Sequence, residues 1–291
     1  MSIFPNLPAD VVADLVGEHV SQLEQVTSLA EGEYEGAYAA IRETYAHMFA
    51  IGDGLTVGLL ARLGTDVEGR DTVFSPAMTM RLTLDRLLGE HTYLAAIVMR
   101  AQLEGGAHLE AAVDALDANS ADLADQIKAV YGLEAARAFS DLWTGHTSDY
   151  LAYVAATADG DEGRQQAALE GLASYRSEFS TFLAGANPHL DAAGLETLLE
   201  SHTHHLVSQV DAFVARNYRA AFDMLRGGYR QTEELAADLA GAIADQFPQL
   251  FPDTSVATEG ATRDASPWLV LSGLLLVVAA AASGGRALRA G

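Results

Sequence analysis

The chain has 291 residues, a formal net charge of −23, seven prolines and no cysteine. So acidic a chain offers no cationic face to phosphate, which excludes nucleic-acid binding, and the lack of cysteine excludes disulfides, thiolate metal sites and thiol nucleophiles. Long segments rich in Ala and Leu, with apolar residues at helical spacing, predict an all-α protein of four αα-hairpin repeats packed as helical bundles.

The first predicted element is a single helical hairpin within residues 1–63. The residues of its first helix that are spaced for one buried face are Val12, Leu15, Val16, His19, Leu23 and Val26. A turn around Gly32 leads into the second helix. Residues 64–78 then break the pattern with Gly, Asp and Pro, which predicts a linker.

Three more hairpins follow and form a predicted six-helix unit over residues 79–250. They cover about 79–131, 134–184 and 192–247. The predicted turns lie at Gly105-Gly106, Asp159-Gly160-Asp161 and Arg216-Asn217. Short loops of this kind join antiparallel neighbours in helix bundles.

One histidine recurs at the same place in all four hairpins. The phrases LVGEH, LLGEH, LWTGH and LLESH contain His19, His91, His146 and His202. The second helix of each hairpin carries a polar residue at the matching position: Tyr45, Asn119, Tyr175 and Tyr229. A repeat of this kind predicts architecture more firmly than chemistry.

The first hairpin matches the last one best. NLPADVVADLVGEH pairs with HLDAAGLETLLESH, and EGEYEGAYAAIRETY pairs with ARNYRAAFDMLRGGY. We call the first, second and last hairpins of a three-hairpin unit the opening, middle and closing hairpins. The chain therefore begins with a hairpin of the closing type and continues after the linker with an opening, a middle and a second closing hairpin. Two explanations stay open: a shortened array of two three-hairpin units, or a lone hairpin that docks on the others and completes a second four-helix bundle.

A different composition begins after Phe251. Residues 251–266 are small, polar and aperiodic, which predicts a flexible tether. Residues 267–285 carry no charge and are long enough for a transmembrane helix, and the tail 286–291 is basic through Arg286 and Arg289. Arginines mark the cytoplasmic side, so a single-pass protein with an extracytoplasmic helical domain is expected.

The start of the chain does not match that expectation. MSIFPNLPADVV contains no basic region and no apolar stretch of a secretory signal. Either upstream sequence precedes it, or the chain is a tail-anchored protein with a cytoplasmic domain.

The motifs resemble a family of uncharacterised bacterial helical-hairpin repeat proteins, often exported or membrane-attached. The matching residues are Glu90-His91, Asn119 with Asp122, His146, Tyr175, Asn187-Pro188, His202 and Gln246-Phe247-Pro248. The likeness covers about 80–250 as a whole unit and 5–63 as one further closing hairpin, without the opening and middle hairpins that the family leads one to expect before it. It implies the fold and the location and brings no activity.

The repeated histidines have a structural and a chemical interpretation. Each lies among apolar residues at three- and four-residue spacing, which points it inward, where a neutral imidazole needs hydrogen-bond partners. The structural interpretation is a buried His–Tyr or His–Asn hydrogen bond within each hairpin. The chemical interpretation is a divalent transition-metal site.

The sequence indicates two groups of side chains that could bind a metal. His91, Asp122, His146 and Glu178 could converge between the second and third hairpins, and such a set suits iron, manganese or zinc. A second group would lie in another bundle and contain His19, Tyr45, His47, Met48, His202 and His205. Histidine together with methionine favours copper, because thioether ligands suit Cu(I). The Glu-x-x-His signature of ferritin-like di-iron proteins is absent.

The sequence contains no Gly-rich phosphate loop, no HExxH and no nucleophile elbow. We therefore expect a membrane-anchored, non-enzymatic binding module for divalent metal or a protein partner. A hemerythrin- or ferritin-like metal-dependent oxidase and a purely structural scaffold are the alternatives.

Overall fold

The computed structural model describes residues 9–27, 32–63 and 73–252, and the protein is all-helical over these ranges. The helices are α1 (Ala9–Val26), α2 (Tyr34–Leu63), α3 (Pro76–Glu104), α4 (Leu109–Asp159), α5 (Glu162–Ala186), α6 (Ala192–Val214) and α7 (Tyr218–Gln246). The predicted all-α class is confirmed.

Helix α4 is interrupted at Gly132. This residue has φ 86° and ψ 176°, a conformation that glycine adopts without a steric penalty. The first arm of α4, residues 109–131, pairs with α3, and the second arm, residues 133–159, pairs with α5.

Side-chain caps and glycines set the other helix ends. Ser75 Oγ accepts a hydrogen bond from the Met78 amide at 3.2 Å, so α3 begins at Pro76, three residues before the predicted start. Gly105 and Gly160 end α3 and α4 with φ of 63° and 67°. These are the turn residues that the sequence indicated.

The main core lies between α3, α4, α5, α6 and α7. Helix α7 packs along α3, and α6 packs against α5, α7 and α4. The apolar side chains that meet there include Leu84, Leu87, Leu123, Phe139, Trp143, Phe179, Leu199, Leu235 and Ala236.

Three polar residues join helix ends at one pole of this bundle. Tyr131 donates to Gln246 Oε1 at 2.9 Å and accepts from Asn187 Nδ2 at 3.1 Å. Gln246 Nε2 donates to the Ala186 carbonyl at 3.0 Å. The Asn-Pro and Gln-Phe-Pro motifs therefore tie the first arm of α4, the end of α5 and the end of α7 together.

The N-terminal hairpin docks on this bundle through the first half of α2. Tyr38 and Ile41 pack in a second core with Leu94, Val98 and Leu116 of α3 and α4. The Tyr38 hydroxyl also lies 2.8 Å from His108 Nδ1 in the loop after α3. The N-terminal hairpin therefore docks on the C-terminal unit, and the completion of a second four-helix bundle stays a prediction.

No helix in residues 9–27, 32–63 or 73–252 has both the length and the apolarity to cross a bilayer. The predicted transmembrane helix 267–285, the basic tail and nearly all of the tether fall outside the described residues, as does most of the linker 64–78.

Candidate functional site

Three of the four repeated histidines meet inside the main core. The ring centroids of His91 and His146 lie 6.1 Å apart, and those of His146 and His202 lie 5.8 Å apart. All three side chains are buried. They come from α3, the second arm of α4 and α6, so the repeat brings one histidine from each hairpin of the C-terminal unit to one place.

Aromatic rings enclose this histidine cluster. His146 stacks on Tyr175 with centroids 4.5 Å apart, and His91 lies 4.8 Å from Trp143. Few polar groups therefore remain to stabilise a charged imidazolium, which makes the neutral form strongly favoured.

Burial accordingly lowers the pKa of all three histidines. The pKa of His91 falls from 6.5 to about 3 through burial and the neighbouring His202. The pKa of His146 falls well below 6.5 through burial and the two other histidines. Burial and nearby His205 lower the pKa of His202 to about 4. Near neutral pH each ring is uncharged and offers one donor and one lone pair.

A small cavity lies at the cluster. It has a volume of about 20 Å³ and is lined by the three histidines together with Trp143 and Gln231, among others. Four atoms here are buried and have no hydrogen-bond partner in the part of the chain that the structure describes: His91 Nδ1, His146 Nδ1, Trp143 Nε1 and Gln231 Oε1. A space of this size has room for one water molecule, and its walls are almost entirely apolar.

The two predicted carboxylates do not join the cluster. Asp122 accepts a 2.6 Å hydrogen bond from Arg42, and about half of its side chain is exposed. Glu178 is exposed and accepts a hydrogen bond from Ser174 at 2.7 Å. Across the described ranges, no three His, Asp or Glu side chains are grouped so that they could hold a metal ion. Metal binding stays a prediction.

The second predicted set is also divided. His19 stacks on His47 with centroids 6.0 Å apart, and His47 Nε2 donates to the Leu15 carbonyl at 2.8 Å. Met48 points to solvent, while His202 belongs to the histidine cluster instead. The His–Met set expected for copper is not assembled.

The polar residues of the second helices bond elsewhere than predicted. Asn119 Nδ2 donates to the Leu87 carbonyl at 3.0 Å and to Glu90 Oε2 at 2.9 Å. Tyr45 and Tyr229 share a hydrogen bond with each other. Tyr175 stacks on His146. The expected His–Tyr and His–Asn hydrogen bonds are therefore replaced by bonds from Asn119 to α3 of its own hairpin, by a contact between Tyr45 and Tyr229 of different hairpins, and by ring stacking at Tyr175.

A buried ion pair at Glu90 was missed by sequence reasoning. Glu90 is only 2% exposed, and its Oε1 accepts from Arg42 Nε at 2.8 Å while its Oε2 accepts from Asn119. A carboxylate inside the apolar stretch from Leu87 to Thr92 was the available signal, because a buried charge needs a partner. The partner lies on α2, so the pair fastens the N-terminal hairpin to α3.

The N-terminal hairpin has an apolar surface that no described residue covers. The prediction that Val12, Val16 and Leu23 lie on the buried face of α1 is therefore wrong, since these side chains are 37%, 51% and 46% exposed. We define the N-terminal apolar face by its exposed residues Val12, Val16 and Leu23 of α1 and Met48, Leu55 and Leu59 of α2. The α2 residues continue the helix side that, about one to three turns earlier, carries the docked Tyr38, Ile41 and Tyr45. The docked side of α2 therefore runs on into solvent.

No family model matches this chain, and no curated protein or solved structure matches it either. The resemblance to the helical-hairpin repeat family stays a prediction.

Proposed function

We propose that this chain is a membrane-anchored, non-enzymatic scaffold of helical hairpins that binds a protein partner through the N-terminal apolar face. The observation that carries the proposal is the exposure of six large apolar side chains on two adjoining helices. Soluble proteins rarely expose contiguous apolar patches of more than a few hundred Å², and larger ones mark interaction sites.

The size of the cavity at the histidine cluster favours a structural role for these residues over a ligand site. Its cavity of about 20 Å³ admits a water molecule, whereas organic ligands occupy clefts of roughly 300–1,000 Å³. The three imidazoles lie inside the core that holds the C-terminal unit together. We assign them a structural role.

The membrane anchor is supported by the sequence alone. Residues 267–285 form an uncharged run of the length that spans a bilayer, and two arginines follow it. An acidic body on such an anchor stays solvated by its surface carboxylates, while the apolar face remains the natural point of contact for a partner.

A photo-crosslinking experiment tests the proposed function. A benzophenone amino acid replaces Leu59 in the full chain, which is expressed in its native cells, and the adduct is identified by mass spectrometry. The matched control places the same group at Leu133, which is exposed but lies on α4 away from the face. We expect a defined protein adduct at position 59 that disappears with Leu55→Asp. Equal labelling at both positions would contradict the proposed function.

A further inference from the structure

The N-terminal apolar face has an internal counterpart that is covered in the same chain. The alignment of α1–α2 with α6–α7 places Val16 opposite Leu199 and Leu59 opposite Ile243. Val16 is 51% exposed and Leu199 is 4% exposed, and Leu59 is 46% exposed against 5% for Ile243. In the same way, exposed Val12, Leu23 and Met48 correspond to buried Leu195, Leu206 and Thr232.

The two closing hairpins are packed internally in the same register. A Cβ on Gly54 would lie 3.4 Å from the Leu15 side chain, and the counterparts of this pair, Asp238 and Leu198, line one groove. The difference in exposure therefore arises outside the hairpins, from what covers them.

The positions of His19 and His47 show the same correspondence between the two closing hairpins. His19 stacks on His47, and their counterparts, His202 and Gln231, both line the histidine cavity. Among residues 9–27, 32–63 and 73–252, nothing closes the matching space on the N-terminal hairpin. His19 Nδ1 is buried and has no hydrogen-bond partner among these residues.

The cover on the C-terminal closing hairpin consists of the opening and middle hairpins. Leu84 and Leu88 of α3 pack on Leu235 and Ala236 of α7. His91 of α3 and residues of the second arm of α4 and of α5 close the histidine cavity over α6 and α7. Because the N-terminal hairpin carries apolar residues at the same positions, a helical unit like that of α3, α4 and α5 would fit on it.

We infer that the N-terminal apolar face docks a helical unit of the opening type from a partner protein, led by an amphipathic helix built like α3. This inference rests on the proposed function and names the partner class. Leucines at the spacing of Leu84, Leu87 and Leu88 would fill the face as they fill its counterpart. The docked unit would also complete a second histidine-lined core around His19 and His47.

A second copy of this chain does not supply that cover. Its own α3 already lies between α7 and α2, and its α4 and α5 are packed on α6.

Binding of a helical probe tests this inference. The probe is a fluorescent, lactam-bridged peptide with the sequence of residues 76–104, so that it is helical before binding. The full chain in lipid nanodiscs is titrated against it by fluorescence anisotropy. We expect one peptide per chain, with binding weakened about tenfold or more by Leu59→Asp and unchanged within about twofold by Leu133→Asp.

Two outcomes would overturn the inference. One is the absence of binding by the bridged peptide, or binding that Leu59→Asp does not weaken. The other is a dimer of the full chain in sedimentation analysis that Leu59→Asp dissociates, because a second copy would then be the occupant. In either case a defined crosslink at position 59 would leave the proposed function standing, so the two failures are distinguishable.

Discussion

At the scale of single residues, Arg42 is the side chain on which the docking of the N-terminal hairpin depends most. It bridges buried Glu90 on α3 and half-exposed Asp122 on α4, and Asn119 completes the bonding of Glu90. Removal of one partner from a buried pair costs more than the pair contributes, because the remaining charge stays desolvated. Arg86, whose Nη1 lies 3.8 Å from Glu90, compensates only in part.

We predict that Arg42→Met lowers the free energy of unfolding by about 3 kcal/mol. Urea denaturation measures the change, and Arg100→Met is the control because its pair with Glu104 is exposed. Combining Arg42→Met with Glu90→Gln should restore part of the loss, since no buried carboxylate is then left unpaired and Asp122 is half-exposed. A double variant no more stable than Arg42→Met would show that Glu90 is not the source of the cost.

The same scale explains why Asp122 and Glu178 lie outside the histidine cluster. Asp122 and Glu178 follow inward-pointing Asn119 and Tyr175 by three residues. Three residues correspond to a rotation of about 300°, which leaves the later side chain about 60° from the first. Such a position lies at the edge of the buried face, and a carboxylate there gains more from water or from Arg42 than from the core.

At the scale of elements, the break in α4 separates two hairpins without a loop. Gly132 alone turns the chain between the first and second arms, with φ 86° and ψ 176°. Any residue with a Cβ is strained there, although a methyl group would meet no neighbour within 4 Å. The strain therefore comes from the backbone and not from packing.

Gly132→Ala should lower the melting temperature, with a loss of about 2 kcal/mol in stability. Gly145→Ala is the matched control. This glycine lies within the second arm of α4 with open space around it, so the change should stabilise by roughly 0.5–1 kcal/mol. Equal effects in calorimetry would contradict the role of φ at Gly132.

The elements were largely predictable from the sequence, and their mutual packing was not. Apolar periodicity indicated the helices, and residues such as Gly105 and Asp161 indicated the turns, because caps and left-handed glycines act locally. The bond between Tyr38 and His108 joins residues 70 positions apart, and no local pattern records such a pair. The sequence predicted that the repeated histidines point inward. It did not predict which residues they contact, because those contacts depend on how three hairpins pack together.

At the scale of the whole molecule, the histidine cluster makes stability depend on pH. The folded pKa values of His91 and His202 are about 3 and about 4, and that of His146 is well below 6.5, whereas an unfolded histidine titrates near 6.5. The unfolded chain therefore binds more protons below pH 6.5. Stability is complete above that pH and falls as the pH decreases toward 4.

We predict a fall in the free energy of unfolding between pH 7 and pH 5, by up to about 1.4 kcal/mol per pH unit for each buried histidine. Urea denaturation across this range measures the slope. His202→Gln should reduce the slope by about one third, and His189→Gln, at an exposed position, is the control. A slope that His202→Gln leaves unchanged would show that other groups dominate.

The two closing hairpins expose opposite halves of their long helices, α2 and α7. Tyr218 and Phe222 at the start of α7 are exposed, while their counterparts on α2, Tyr34 and Tyr38, contribute to the core shared with α3 and α4. Each closing hairpin therefore has one half of its long helix covered and the other half open. Composition alone could not show this, because the two hairpins have nearly the same pattern of apolar residues.

The polar tie at the pole of the bundle has a mechanical consequence. The chain leaves the described fold at residue 252, six residues after Gln246, which is bonded to Tyr131 and to the carbonyl of Ala186. A force pulling on the C-terminal end would enter the bundle at this junction. Three helix ends would share the load in shear, so that α7 would resist being peeled away alone.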